Sequence, residues 1–275
     1  MTPLVLVDIR DGVADVRLNR PEKINALDQA MFAALAEAGE DLRGQPAVRA
    51  VVLSGQGRGF CAGLDVAMFS EMAAGAAGGA AALVEVLATD GRITHLGQQA
   101  AWVWTELEVP VIAAIHGPCL GGGLQIALGA DLRIVAPDAS LGLLEIRWGI
   151  IPDLTASLTL PRLVGPDVAK ELYWTGRTVD GAEAVRLGLA TRQAPDPRAA
   201  ALALAAEIAA RSPEAVRAGK RLLTEPAGGS PAGRSAAEQL AREREEITAL
   251  FGGANQIEAV ESFFAKRPPV YRDPR

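Results

Sequence analysis

Cysteine is almost absent from this 275-residue chain; Cys61 and Cys119 are the only two. That excludes a disulfide framework, and their spacing does not suit zinc, so no metal is expected. No apolar run reaches the roughly 18 residues that a membrane span needs. The opening stretch, Leu4–Ile9, has neither the basic region nor the cleavage site of a secretory leader. A reducing cytoplasm is therefore the expected location, with no membrane partner. Positive charge is also short: 27 Lys and Arg face 33 Asp and Glu, a net charge of −6. Such a balance argues against nucleic acid as a partner. Aromatics make up 4% of the chain, and the abundance of alanine and glycine points to close helix packing. The 49% hydrophobic and 22% charged content is that of an ordinary globular protein with a substantial core.

What the chain does have is glycine in two concentrated places. His116–Asp131 reads His-Gly-Pro-Cys-Leu-Gly-Gly-Gly-Leu-Gln-Ile-Ala-Leu-Gly-Ala-Asp, between the apolar runs Val109–Ile115 and Leu132–Ala136. This predicts a strand, a glycine-rich turn, a short helix and a return strand. Glycines at a helix start let the backbone approach a ligand and leave first-turn N–H groups free to face it. The helix dipole there favours a developing oxyanion. Neither phosphate-loop pattern, G-x-x-x-x-G-K-[ST] or G-x-G-x-x-G, is present. Gly55–Asp65 is the second such loop, following the apolar run Val48–Ser54. Two loops can thus each offer one backbone N–H to a shared point.

Asp11-Gly12 between the apolar runs of residues 4–19 predicts a hairpin. Arg20–Asn25 reads as a loop, and Asn25 or Asp28 as the cap of a helix running to about Leu42. Met31, Phe32, Leu35 and Leu42 fall on the inner face of that helix. Residues 70–82, rich in alanine and glycine, read as a mobile segment. A long helix is expected from about Ala80 to Glu106, carrying His95, Trp102 and Trp104. Ala139–Leu143 reads as a strand, Leu144–Asp153 as a loop, and Thr155–Leu163, Pro166–Thr175 and Gly181–Leu187 as helices. Leu189–Gln193 reads as a last strand. Helices then fill roughly 197–211, 213–224, 233–250 and 254–266. The division expected is a β/α core over residues 1–195 and an all-helical region over 196–275. The latter cannot be stable alone and should pack on its own core or on a neighbour.

Several pieces, in this order, resemble the crotonase superfamily of enoyl-CoA hydratases and isomerases: Asn19-Arg-Pro with Asn25-Ala-Leu, Gly59-Phe-Cys-Ala-Gly-Leu-Asp65, and Pro110-Val-Ile-Ala-Ala-Ile-His-Gly117. Gly121-Gly-Gly-Leu-Gln125, Gly149-Ile-Ile-Pro-Asp153, Thr175-Gly-Arg177 and Phe263-Phe-Ala-Lys-Arg-Pro-Pro269 continue the match. The resemblance implies an α/β crotonase (ClpP-like) spiral of ββα units with a helical C-terminal trimerisation region. It implies a homotrimer or dimer of trimers acting on an acyl-CoA thioester, with no separate cofactor because CoA belongs to the substrate. Carried over, the oxyanion hole falls on the N–H groups of Leu64 and Gly122, and Gly63, Asp65 and Gly121 flank it in the substrate site. Lys23, Arg58 and Lys266 are candidates for the CoA phosphates. Trp102, Trp104, Trp148 and Tyr173 are candidates for core packing or for the acyl pocket.

The hydratases that this chain resembles use two glutamates. One matches Glu145; the other position holds Gln125, whose amide cannot take a proton from water but can orient one. Asp153 stands where dienoyl-CoA isomerases of the superfamily have a catalytic aspartate. It also matches the nucleophile of the dehalogenase branch, whose histidine partner would fall near Gln98, which argues against dehalogenation. Asp153 as the N-cap of the helix that follows is the competing reading. Two carboxyls over one apolar pocket have their pKa values pushed apart, which suits a proton relay. Glu145 and Asp153 are therefore the expected catalytic pair, and isomerisation is favoured over hydration. Hydration through Glu145, with Gln125 orienting water, is one alternative; binding acyl-CoA without turnover is another.

Overall fold

Asp11 and Gly12 both take positive φ (49° and 79°), the backbone of a two-residue hairpin turn. They join β1 (Val5–Arg10) to β2 (Val13–Leu18) in antiparallel register, Val5 opposite Leu18 and Arg10 opposite Val13. From there every pairing is parallel. β3 (Ala50–Gly55), β4 (Val111–Ile115), β6 (Leu132–Val135) and β8 (Arg192–Gln193) complete a six-stranded sheet ordered β1-β2-β3-β4-β6-β8. The computed structural model describes residues 2–65, 88–89, 91–224 and 235–274.

β3 and β4 have helices on both faces, so their apolar residues run almost without interruption, whereas β2 alternates and carries Asp15 and Arg17. Successive side chains point to opposite faces. One face carries Val13, Ala50, Val52, Ile112, Ala114 and Ile134, closed by Ala201, Ala205 and Ala209 of α7 (Pro197–Ala209). The other face, with Val16, Val51, Leu53, Ala113 and Ile115, packs on α1 (Gln29–Arg43) and α2 (Leu96–Glu106). Met31, Phe32, Leu35 and Leu42 are all buried there, as expected.

A second, two-stranded sheet is formed by β5 (Pro118–Leu120) and β7 (Ser140–Gly142). Cys61 bridges Cys119 in parallel and extends this layer by one rung. Each winding of the chain therefore places one long strand in the large sheet and one short strand in the small layer. This is the repeated unit that the resemblance implies.

Two local expectations change. Asp28, not Asn25, caps α1, accepting the Met31 N–H at 2.9 Å. Asn25 instead sits at φ 55° and ties down the Gly55–Asp65 loop through the carbonyls of Gln56, Gly59 and Phe60. The second concerns the long helix expected from Ala80. The helix begins only at Leu96, because His95 is its N-cap and forms a capping box with Gln98. Residues 91–94 are turn and bend, with Gly91 at φ 83°. The expected mobile segment 70–82 and the stretch 80–87 lie outside the described residues.

α3 (Gly122–Leu128) follows β5, and α4 (Ala156–Val164), α5 (Pro166–Thr175) and α6 (Gly181–Leu187) lead to β8, which spans only Arg192–Gln193 of the expected 189–193 strand. After α7 come α8 (Pro213–Leu223), α9 (Ala236–Leu250) and α10 (Ala254–Phe264). Lys220 fastens α8 to the sheet, donating to the Val109 carbonyl at 2.9 Å and to Asp131 at 2.7 Å. Arg49 holds the end of the chain through the Tyr271 carbonyl and Asp273. α9 and α10 leave Leu240, Ile247, Ile257, Val260, Phe263 and Phe264 exposed. Among the described residues no helix is long and apolar enough to cross a membrane.

Candidate active site

The small layer decides where the site lies. Chain leaves it three times, after Cys61, Leu120 and Gly142, and two or three residues later come Leu64, Gly122 and Glu145. These three line one cavity of about 130 Å³, together with Ala62, Gly63, Gly121, Leu144 and Trp148.

Leu64 is held by a parallel bridge to Leu27, made by the groups on either side of it. Leu27 N–H donates to the Gly63 carbonyl and the Asp65 N–H donates to the Leu27 carbonyl, each at 2.8 Å. Alternation along an extended chain then turns the Leu64 N–H away from Leu27. Gly122 is the first residue of α3, so its N–H has no intrahelical acceptor. Neither N–H donates to another described residue.

The glycines before these two donors are required by geometry. Gly63 has φ 92°, and a Cβ there would meet the Leu120 carbonyl oxygen at 2.9 Å. Gly121 has φ 52°, and its Cβ would touch the Glu145 carboxyl at 3.4 Å. The Glu145 carboxyl thus lies directly over the turn that presents Gly122.

Glu145 is buried, and only one of its carboxylate oxygens is occupied. Oε1 accepts from Gln125 Nε2 at 2.7 Å, while Oε2 has no hydrogen-bond partner among the described residues. Burial holds its pKa above the ordinary glutamate range and the charge of Asp153 adds to this, against the opposing hydrogen bond from Gln125. Gln125 is fully engaged at its oxygen, which accepts from the N–H of Leu154 at 2.8 Å and of Ala156 at 3.4 Å. Gln125 therefore fastens Glu145 to the start of α4, rather than standing free over the cavity.

Asp153 does not cap that helix; the N-cap is Thr155, at φ 76°. Its side chain is half exposed and lies 3.9 Å from His95 Nε2. Partial desolvation raises its pKa, against the lowering influence of His95. Its backbone is pinned, with Gln98 Nε2 donating to the Asp153 carbonyl at 3.2 Å and the Tyr173 hydroxyl to the Pro152 carbonyl at 3.0 Å. The Tyr173 phenol is raised by burial and by the charges of Glu145 and Asp153. Asp153 does not line the small cavity, but stands beyond Glu145 at the end of the same loop.

The remaining candidates divide. Asp65 is buried and neutralised by Arg20 at 3.0 Å and Lys23 at 2.7 Å, which anchors the Leu64 segment. Lys23 thus faces Asp65 in this structure, and Lys266 is exposed beyond α10, away from the cavity lining. His116 meets the Gly57 carbonyl at 3.0 Å, a structural contact. Trp102 and Trp104 are core residues, whereas Trp148 faces the cavity. Both cysteines are buried and free, and burial pushes the Cys61 thiol up to about 12. Sequence reading missed His95, because it placed this residue inside a helix. The His-x-x-Gln pattern of a reciprocal cap was the available signal.

Residues 8–274 match the family model for enoyl-CoA hydratase/isomerase. The mouse enoyl-CoA hydratase domain-containing protein 2, mitochondrial, is 36% identical over 94% of this chain and 84% of its own length. Among solved structures, the enoyl-CoA hydratase of Bacillus anthracis superposes with a TM-score of 0.84 at 30% identity, covering 98% of each chain. That of Mycobacterium tuberculosis gives 0.81 at 32% identity, over 98% of this chain and 99% of that one.

Proposed function

Given that the chain belongs to the enoyl-CoA hydratase/isomerase family, we propose that it moves the double bond of an enoyl- or dienoyl-CoA, with Glu145 and Asp153 as its two proton stations. The thioester oxygen accepts from the N–H groups of Leu64 and Gly122, which stabilise it as charge develops. Ionised Glu145 takes a proton from C2 of a 3-enoyl thioester, leaving a dienolate. Protonated Asp153 returns a proton at C4, so the double bond comes to rest between C2 and C3. Transfer of a proton from Glu145 back to Asp153 resets the pair.

The observation that carries this reading is Gln125. Activation of water by two carboxylates needs a second acid–base group there, and this amide has its oxygen on two backbone N–H groups and a nitrogen on Glu145. The second carboxylate of the neighbourhood is Asp153. Elevation of both pKa values allows one carboxyl to be protonated while the other is ionised. Hydration by Glu145 alone is the second reading, favoured by the hydratase names of the relatives.

Asp153→Asn tests the assignment. The expected result is a fall in kcat of about 10²-fold on a 3-enoyl-CoA, with KM within about twofold of wild type. Near-full turnover would remove Asp153 from the mechanism and leave Glu145 as sole acid–base group. The assembly proposed with this function is a homotrimer or dimer of trimers in the cytoplasm, supported by the apolar exposure along α9 and α10.

A further inference from the structure

His95 does two things at once. Its Nδ1 accepts the Gln98 N–H at 3.4 Å as the N-cap of α2, and its Nε2 faces Asp153 Oδ2 at 3.9 Å. An imidazole nitrogen that accepts a hydrogen bond carries no proton, so the cap fixes the tautomer. Gln98 completes the cap by accepting the His95 N–H and also donates to the Asp153 carbonyl. The first turn of α2 therefore grips Asp153 by its backbone and faces its carboxyl with a ring N–H.

We propose that His95 is the positioning residue for Asp153: a neutral imidazole with its proton on Nε2, it engages one carboxylate oxygen and leaves the other to exchange a proton with substrate. This rests on the reading of Asp153 as a proton station. Burial lowers the His95 pKa, against the raising influence of the Asp153 charge, which favours the neutral ring. Other charged groups facing His95 lie in the groove between α1 and the start of α2: Glu37, Glu40 and Asp41 on α1, and Arg92, which is ion-paired to Glu40. Glu145 and Tyr173 also interact electrostatically with Asp153.

His95→Asn separates the two roles, since asparagine is a good N-cap but is too short to reach Asp153. On 3-hexenoyl-CoA, His95→Asn is expected to lower kcat about tenfold with KM within about twofold. The limb of the pH–rate profile that Asp153→Asn abolishes should move to higher pH, because the carboxylate has lost the neighbouring imidazole, whose influence lowers its pKa. A merely structural histidine would leave that limb in place, and an unmoved limb would overturn the proposal. The wild-type protein supplies a second test that needs no variant. It has only two histidines, so ring-nitrogen NMR can assign the tautomer of His95. The Nε2–H form is expected, and the Nδ1–H form would overturn the proposal. The two levels fail differently. An active Asp153→Asn removes both; an inactive Asp153→Asn with an unmoved His95→Asn limb removes only the role of His95.

Discussion

Glu145→Gln is expected to lower kcat by about 10³- to 10⁴-fold, the upper part of the range for a positioned acid–base group. KM should change little, because glutamine fills the same space and can still accept from Gln125. The same variant should be more stable than wild type at pH 7–8. Folding raises the pKa of Glu145 by burial, so its neutral form is the better accommodated one. Wild type therefore loses stability as pH climbs from the ordinary glutamate value through the raised folded value. The variant has nothing to ionise and loses none. Thermal unfolding midpoints should diverge above that window and converge below it. Midpoints that stay equal at pH 8 would mean that the buried Oε2 is already satisfied. An active variant would mean that proton transfer runs elsewhere.

Gly122→Pro carries the second large effect. Proline is accepted at the first position of a helix but has no N–H. Losing one oxyanion donor costs about 10²- to 10³-fold in kcat. The added ring also crowds Leu27 Cδ1 and Leu154 Cδ1, which a Cβ at this position would meet at 2.8 and 3.1 Å. Gly122→Ala brings the same Cβ and keeps the N–H, so it serves as the control. The expected outcome is a loss for Gly122→Pro about 10²-fold beyond that of Gly122→Ala. Equal losses would mean that packing, not the donor, accounts for the effect.

Both predictions stand on residues that a sequence can reveal. Gly63 and Gly121 are written as glycine because the backbone there has positive φ and a neighbour where a Cβ would be. The apolar runs Val48–Ser54 and Val109–Ile115 read as strands, and the strands they form, β3 and β4, are buried throughout. The alanines of α7 promised close packing and lie flush on the sheet. Less legible was anything made by two distant stretches at once. Gln125 reads as a lost catalytic acid, but the fold uses it to join Glu145 to the N–H groups of Leu154 and Ala156. His95 reads as a helix residue, since an alanine-rich run precedes it and its capping partner is a glutamine. Its proximity to Asp153 depends on α2 meeting the end of the 145–153 loop, which no local pattern encodes. The cap role considered for Asp153 fails for a similar reason: Gln125, from another helix, already takes the N–H groups at the start of α4.

A proton relay moves the double bond without adding water. The most direct measurement is mass-resolved chromatography after incubation with 2-enoyl-, 3-enoyl- and 3,5-dienoyl-CoA thioesters. Proton relay between Glu145 and Asp153 predicts products of unchanged mass and shifted retention from the 3-enoyl or 3,5-dienoyl substrates. A gain of one water from the 2-enoyl substrate, with no isomer from the others, would contradict it. Glu145 alone would then be running a hydration over a positioning glutamine.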